Sequence, residues 1–506
     1  AHFHRATGQE VYTVLLDAGT VPGETAVVEL VSEMHRKDNV AGCCGQITTE
    51  GNHNPWKMLT NPLVACQNFE YKSANFLDKQ MQSLFGYIEV LPGAFSAYKW
   101  SKLSEGGPLE RPLAKYFKSC TAAGGMSPFE GNMYLAEDRI LCYELVIRSR
   151  NKLSYIGTAT AKTDVPDDMS KFIKQRRRWL NGSQFAIYYA IWNGLLRCGL
   201  WRGRHSCARK LAFLVEFLFL LLSNTVAWFA LGNTFLFSYL FVRSVCGAGP
   251  REFQTHGLAV FEYLQQHPEF ATYYRDLYLV LFSATLVLAM GSKPDTKHSL
   301  VRVLYKLLAF LWALAIMLVF GFVIFMMVEG FTITNWRTLH YGAAEAISLS
   351  STLFLVSIFV GGLLNGDLGH VVLCIVPYLI WLPTMLNMVQ VFAFCNLHDL
   401  SWGTKGLDST DDSKQDEVDR RNGFRCLMVL SWIATNGLLV AFICAGDHAD
   451  EQSDAYGLHR KVQTAYMHVL AAVAGGMSAL KLACSALWLA RLECSKICRL
   501  CRQCVC

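Results

Sequence analysis

The sequence predicts two architectures in one chain: a soluble α/β domain, then an α-helical multi-pass membrane domain. Three observations carry this. Residues 1 to 180 mix charge and apolarity as globular domains do, whereas the later part holds long apolar runs. The change falls at Lys174-Gln175-Arg176-Arg177-Arg178-Trp179, where three adjacent guanidiniums demand anions or water. The early apolar runs, by contrast, are short and β-branched, which suits a sheet.

Composition sets bounds on function. A length of 506 residues leaves room for two to four domains, and a hydrophobic content of 52% is high for a purely soluble chain. The net charge of +6 is mild and does not call for a nucleic-acid partner. Ala1-His2-Phe3-His4 has no signal-peptide pattern, so the first half is expected in the cytosol. Many of the eighteen cysteines sit in apolar or cytosolic-looking sequence, where thiols stay reduced.

Val11-Tyr12-Thr13-Val14-Leu15-Leu16 reads as a buried strand ending at Asp17-Ala18-Gly19-Thr20. In open α/β sheets ligands sit at the carboxyl ends of strands, and a carboxylate before a glycine turn suits a metal–diphosphate site. An ordinary Asp-x-Gly turn has the same sequence. Residues 23–36 have helical periodicity, 39–47 resemble a second strand, and 61–84 form a helix against the sheet. Pro92-Gly93 forces a turn within an apolar run, and the small residues after it admit a ligand, as a plain hairpin would also do. After a loop-rich stretch, 106–131, Glu137-Asp138-Arg139 opens a helix. Acids there complement the macrodipole, or one of them removes a proton from a substrate hydroxyl.

Residues 175–192 look amphipathic and are expected along the membrane surface. The arginine run is either a positive-inside flank or a bidentate phosphate clamp, with Trp179 a flat face on which a sugar stacks. Seven apolar stretches follow, near 211–242, 277–291, 304–328, 347–364, 370–394, 426–445 and 464–490. A span needs about 20 residues, so 277–291 is short unless flanking residues are recruited. Glu216 and Asn224 are expected to face the bundle. Parity places the loop after the fifth stretch outside, while Arg420, Arg421 and Arg425 place it inside unless one stretch is re-entrant. The basic, cysteine-dense tail from Cys494 to Cys506 suits S-acylation better than a metal.

Six motifs occur in one order: Asp17-Ala18-Gly19-Thr20; Asn61-Pro62-Leu63-Val64-Ala65-Cys66-Gln67-Asn68-Phe69-Glu70-Tyr71-Lys72; Val90 through Tyr98; Leu135-Ala136-Glu137-Asp138-Arg139-Ile140-Leu141; Gln175-Arg176-Arg177-Arg178-Trp179; and Ser401-Trp402-Gly403-Thr404-Lys405-Gly406. Together they resemble chitin synthases of the fungal and oomycete kind over residues 10 to 490. The Gln-x-x-Arg-Trp element is also similar to that of cellulose and hyaluronan synthases.

The resemblance implies a GT-A type glycosyltransferase domain with a mixed sheet, using UDP-N-acetylglucosamine and a divalent Mn²⁺ or Mg²⁺, and a membrane channel for the polymer. It implies Asp17 as the metal and diphosphate carboxylate, with Gly19, Gly93, Ala94, Gln175 and Arg178 around the donor. It implies Asp138 as the base beside Glu137, with Gln175 and Trp179 at the acceptor. Val90, Leu91 and Pro92 would form the loop between active site and channel, and Trp402 and Lys405 a further motif. The expected division is 1–174 for the glycosyltransferase domain and 175–205 for the interface helix. Residues 206–491 would form the channel domain and 492–506 the tail. The implied setting is the lipid bilayer of the plasma membrane, with the catalytic domain in the cytosol, a second copy of the chain as homodimer partner and chitin as product. The family has further sequence upstream, including a first strand that binds uridine through its own acid. A transporter with a ligand-binding cytosolic domain is the rival from another class.

Overall fold

The computed structural model describes residues 9–505 except 51–54, 107–109, 119–125, 148, 247–262, 265, 333–342, 402–414 and 446–453. Its first half is built on a five-stranded mixed sheet. The strands are β1 (Tyr12–Leu16), β2 (Val21–Pro22), β3 (Val40–Thr49), β4 (Phe95–Lys99) and β5 (Lys152–Thr163), in the order β1-β4-β3-β5-β2. β4 is antiparallel to both β1 and β3, while β3 and β5 are parallel. The carboxyl ends of β1, β3 and β5 therefore lie on one side of the sheet, and Asp17 follows β1 there.

Helix α1 (Ala26–Arg36) buries Leu30 and Met34 against the sheet. The expected helix over 61–84 is real but shifted in pitch partway. α2 (Pro62–Ser73) is capped by the Asn61 side chain accepting from Val64 N–H, with Pro62 in the first turn, where its missing donor costs nothing. A π-helical stretch, Ala74–Lys79, then leads into α3 (Gln80–Phe85). α4 (Glu137–Ile147) brings the acid pair on its first turn.

α5 (Met169–Ile191) differs from expectation. It begins where the Asp168 side chain accepts from Ser170 N–H, so it runs across the anticipated 174/175 boundary. Nor is it peripheral: Phe172, Ile173, Arg177, Asn181, Gly182, Phe185, Ala186 and Ala190 are buried along it. One face of this helix is therefore packed on protein, polar residues included.

Among the described residues, six helices are long and apolar enough to cross a membrane: Cys207–Trp228, Glu269–Gly291, Ser299–Gly321, Leu368–Cys395, Asp416–Cys444 and Lys461–Ser495. They belong to α6 (Cys207–Trp228), α8 (Glu269–Gly291), α9 (Ser299–Thr332), α11 (Leu368–Pro383) with its continuation through α12 (Gln390–Cys395), α13 (Gln415–Cys444) and α14 (Asp454–Val505). The 211–242 run breaks at Phe229 into α6 and α7 (Ala230–Val245), and the 277–291 run reaches full length by starting at Glu269. The described part of the 347–364 run, Ser350–Leu364 within α10 (Ala343–Leu364), is short of a span. α14 continues past 491, so no boundary sets off the tail. Glu216 and Asn224 are buried, as expected of polar groups facing protein.

The two halves share cores. Phe213, Phe217 and Leu220 of α6 and Trp488 of α14 pack into one cluster with Tyr87, Tyr143 and Tyr155 of the α/β domain. The segment Leu368–Cys395 touches that domain at both ends. Asp367 pairs with Lys72 at 2.6 Å, while Asn181 donates to Ala393 O at 2.9 Å and Asn132 to Leu397 O at 2.9 Å. With the 347–364 run short of a span, four of the span-length helices among the described residues precede residue 396, an even number. Residues 397–401 lie on the face of the α/β domain, in agreement with the charge of Arg420, whose Nη2 donates to Met126 O at 3.1 Å.

Candidate active site

Sheet register builds the first part of the site. Leu16 is the last residue of β1 and pairs with Phe95, so the turn before β4 must lie beside Asp17. Asp17 N–H reaches Ala94 O at 3.4 Å, and a Cβ placed on Gly93 would stand 3.8 Å from Asp17 Oδ1. Asp17 itself is exposed. Gly19 has φ +89°, and a Cβ there would meet Asp164 Oδ2 at 2.9 Å. The left-handed backbone and this carboxylate explain why no side chain stands at position 19. Asp164, at the end of β5, is a second acid at the turn that sequence reasoning missed, since it sits 147 positions from Asp17 and in no motif.

The acid pair forms the second part. Burial pushes the Glu137 carboxyl up to about 7, helped by the adjacent Asp138 charge and opposed by Arg178. Tyr116 Oη donates to Glu137 Oε1 at 3.5 Å. Burial likewise raises Asp138 to about 6, against a 2.9 Å hydrogen bond from Arg139 N–H and the charge of Lys79, while Asp17 adds to the rise. Tyr116 and Lys79 had no sequence signal of a site. Arg178 is half-buried, and its guanidinium is held below its ordinary range by burial, offset by Glu137, Asp17 and Asp138. Three acids and one arginine from three separate segments thus act on each other.

The three adjacent arginines have three different tasks. Arg176 pairs with Glu70 of α2 and lies over the Trp179 ring at 4.7 Å, so one face of that ring is covered. Arg177 is buried at 4% side-chain exposure and turns the other way. It pairs with Asp399 Oδ2 at 3.0 Å and donates to Asp399 O and, at 2.9 Å, to Ser401 O. Only Arg178 faces the acids. Burial disfavours the Asp399 carboxylate, yet Arg177, the Ser401 donors and Lys293 hold it well below the usual range. The motif that begins at Ser401 is thereby tied to the arginine run; Trp402 and Lys405 lie outside the described residues.

The loop Val90-Leu91-Pro92 is clamped. Lys79 Nζ donates to Val90 O, Leu91 N–H meets Cys142 Sγ at 3.2 Å, and Phe95 N–H donates to Pro92 O at 3.1 Å. Leu91 is fully buried in the core, and Val90 and Pro92 are half-buried. Gln175 Oε1 is buried and accepts no hydrogen bond from a described residue.

Contact between α5 and α4 sets the spacing of arginine and acids. A Cβ on Gly182 would fall 2.8 Å from Ala136 Cβ and 2.9 Å from Ala136 N, one residue before the acid pair. Gly182→Ala is expected to destabilise the protein by about 1–3 kcal/mol through overpacking and to lower turnover as Arg178 is pushed from the acids. Thermal melting and turnover both at wild-type level would show that the contact relaxes freely.

For a divalent metal, Asp17 and Asp164 offer hard carboxylate oxygens. Mg²⁺-type ions are held by one or two carboxylates when substrate phosphates complete the shell. No cluster of three or more His, Cys, Asp or Glu side chains that would hold an ion unaided occurs among the described residues.

Residues 5–194 match the family model of the chitin synthase-like glycosyltransferase domain. The chain is 35% identical over 544 aligned residues to chitin synthase C of Aspergillus oryzae, covering 94% of this chain and 56% of that protein. It is 38% identical to chitin synthase A of Ampelomyces quisqualis, covering 81% of this chain and 44% of that one. The figures for chitin synthase I of Metarhizium acridum are 38%, 81% and 45%. The chain spans about half the length of the curated relatives it matches. The matched domain takes in β1, the acid pair and α5 together, and through it the chain belongs to the chitin synthase family of glycosyltransferases.

Proposed function

We propose that the protein is a chitin synthase. It would transfer N-acetylglucosamine from UDP-N-acetylglucosamine to the 4-hydroxyl at the end of a β-1,4 chain, with inversion, repeatedly, while the polymer leaves through the membrane helices. The observation that carries this is the convergence of Asp17, Glu137, Asp138 and Arg178 inside the family-matched domain. Asp138 would take the proton of the attacking hydroxyl. Arg178 would meet the charge on the departing diphosphate through its planar fork. Trp179 would offer the acceptor sugar the ring face that Arg176 leaves open. A divalent ion, when bound at Asp17 and Asp164, would neutralise the diphosphate as it leaves. The plasma membrane, with the α/β domain on the cytosolic side where the nucleotide sugar is made, is the setting this reading implies.

Labelled UDP-N-acetylglucosamine supplied to the purified full-length protein should yield insoluble polymer that chitinase digests. A chitinase-resistant product would point to another β-linked polysaccharide, and ligand binding without any product would favour a transporter. If Asp17 anchors the metal, Asp17→Ala should weaken UDP binding at least about tenfold in manganese and hardly at all in chelator. Equal losses in both conditions would remove the metal role.

A further inference from the structure

A cleft of about 780 Å³ opens between the first half of α5 and the first two turns of α9. Six cations line it, Lys171, Lys174, Arg177, Arg178, Arg302 and Lys306, against two acids, Asp168 and Asp295. Arg177 and Arg178 are engaged inward, as described above, and Lys174 pairs with Asp295 at 2.7 Å. Arg302 and Lys306, on the opposite wall, are exposed and form no ion pair with any described residue. Neither is among the acids and arginine that meet at the candidate active site.

What lies beyond these two cations identifies the ligand. Arg302 and Lys306 stand at the start of a helix long enough to cross a membrane. Val303, Leu307 and Phe310 follow on its surface, 56%, 47% and 64% exposed. Phe310 is one turn along from Lys306, so a charged recess gives way directly to an apolar strip. A free nucleotide satisfies the recess but not the strip. A molecule with a phosphate at one end and hydrocarbon at the other satisfies both, and basic pockets between membrane helices take such headgroups.

We propose that this cleft binds the headgroup of an anionic phospholipid. Its phosphate lies among Lys171, Lys174, Arg302 and Lys306, and its acyl chains run along Val303, Leu307 and Phe310. The site rests on the membrane helices and not on the catalytic reading, although α5 forms one wall and also carries Arg178. A bound lipid would thus brace α5 against α9 beside Arg178.

The test uses the full-length protein in neutral detergent, titrated with short-chain fluorescent phosphatidylserine or phosphatidylcholine. Phosphatidylserine should bind at least about tenfold more tightly, and Arg302→Gln and Lys306→Gln should each weaken it about fivefold, the effect of one basic residue near an anionic lipid. UDP should not displace the probe, and UDP affinity should be the same in both variants. Equal binding of the two lipids, or undiminished binding by each variant, overturns the proposal. Competition by UDP that depends on Arg302 and Lys306 also overturns it and gives the cleft to the nucleotide. Every readout is binding, so absence of sugar transfer would leave the result interpretable.

Discussion

Asp138→Asn is expected to lower sugar transfer by about 10²- to 10⁴-fold while UDP affinity changes by less than about twofold. The amide keeps the shape of the side chain and its contact with Arg139 N–H but cannot accept the hydroxyl proton. The ionisation of the two acids accords with Asp138 as the base. Burial holds Asp138 near 6 and Glu137 near 7, so at neutral pH Asp138 is the more fully ionised and Glu137 is about half protonated. Glu137 also faces Arg178 and accepts from Tyr116. A base raised from its ordinary value works only above that raised value, so kcat/KM should climb with pH through about 6 rather than about 4. The sign for stability is opposite. Both acids are protonated at low pH in either state, and their contribution is lost as pH rises through about 6 and 7, where the buried groups ionise. Incorporation of labelled sugar across pH measures the first effect and thermal melting the second. Residual transfer above about a tenth of wild type in Asp138→Asn would give the proton to another group.

The part of this site legible in the sequence is the part carried by local chemistry. The apolar run before Asp17, the glycine turn after it and the acids opening α4 each announce a strand end or a helix start, and each stands where it was expected. Asn61-Pro62 fixed a helix start for the same reason. The start of α5 could have been read too, because Asp168 is a good cap and Phe172 and Ile173 follow at helical spacing. What could not be read is who meets whom. Asp164 approaches the Gly19 turn only because β5 and β1 end on the same side of the sheet, and Lys79 reaches Val90 only through a helix of altered pitch. The contacts of the apolar segments were hidden for a related reason. Hydropathy reports whether a segment is apolar, not whether protein or lipid covers it, and Leu368–Cys395 is covered at both ends by the α/β domain.

The arginine run shows how far pattern goes, because its three members look alike in sequence and differ in the fold. Arg178→Lys is expected to leave insertion and thermal melting unchanged and to lower transfer at least about tenfold. Lysine keeps the charge that a positive-inside flank requires but not the two parallel donors a diphosphate uses. Arg177→Lys is expected to behave differently. Its guanidinium serves one carboxylate and two carbonyls at once, and Asp399 lies 222 residues away in sequence. One ammonium cannot span these partners, so about 1–3 kcal/mol of stability should be lost as buried groups go unpaired. Transfer should fall with it, because residues 399–401 hold the start of the Ser401–Gly406 motif. Asp399→Asn tests the same tie from the other side. If it and Arg177→Lys act through one contact, the double variant should be scarcely worse than either alone, whereas Arg178→Lys should add its loss in full to both. Near-normal transfer by Arg178→Lys, or strictly additive losses for Arg177→Lys with Asp399→Asn, would return the whole run to a topology signal.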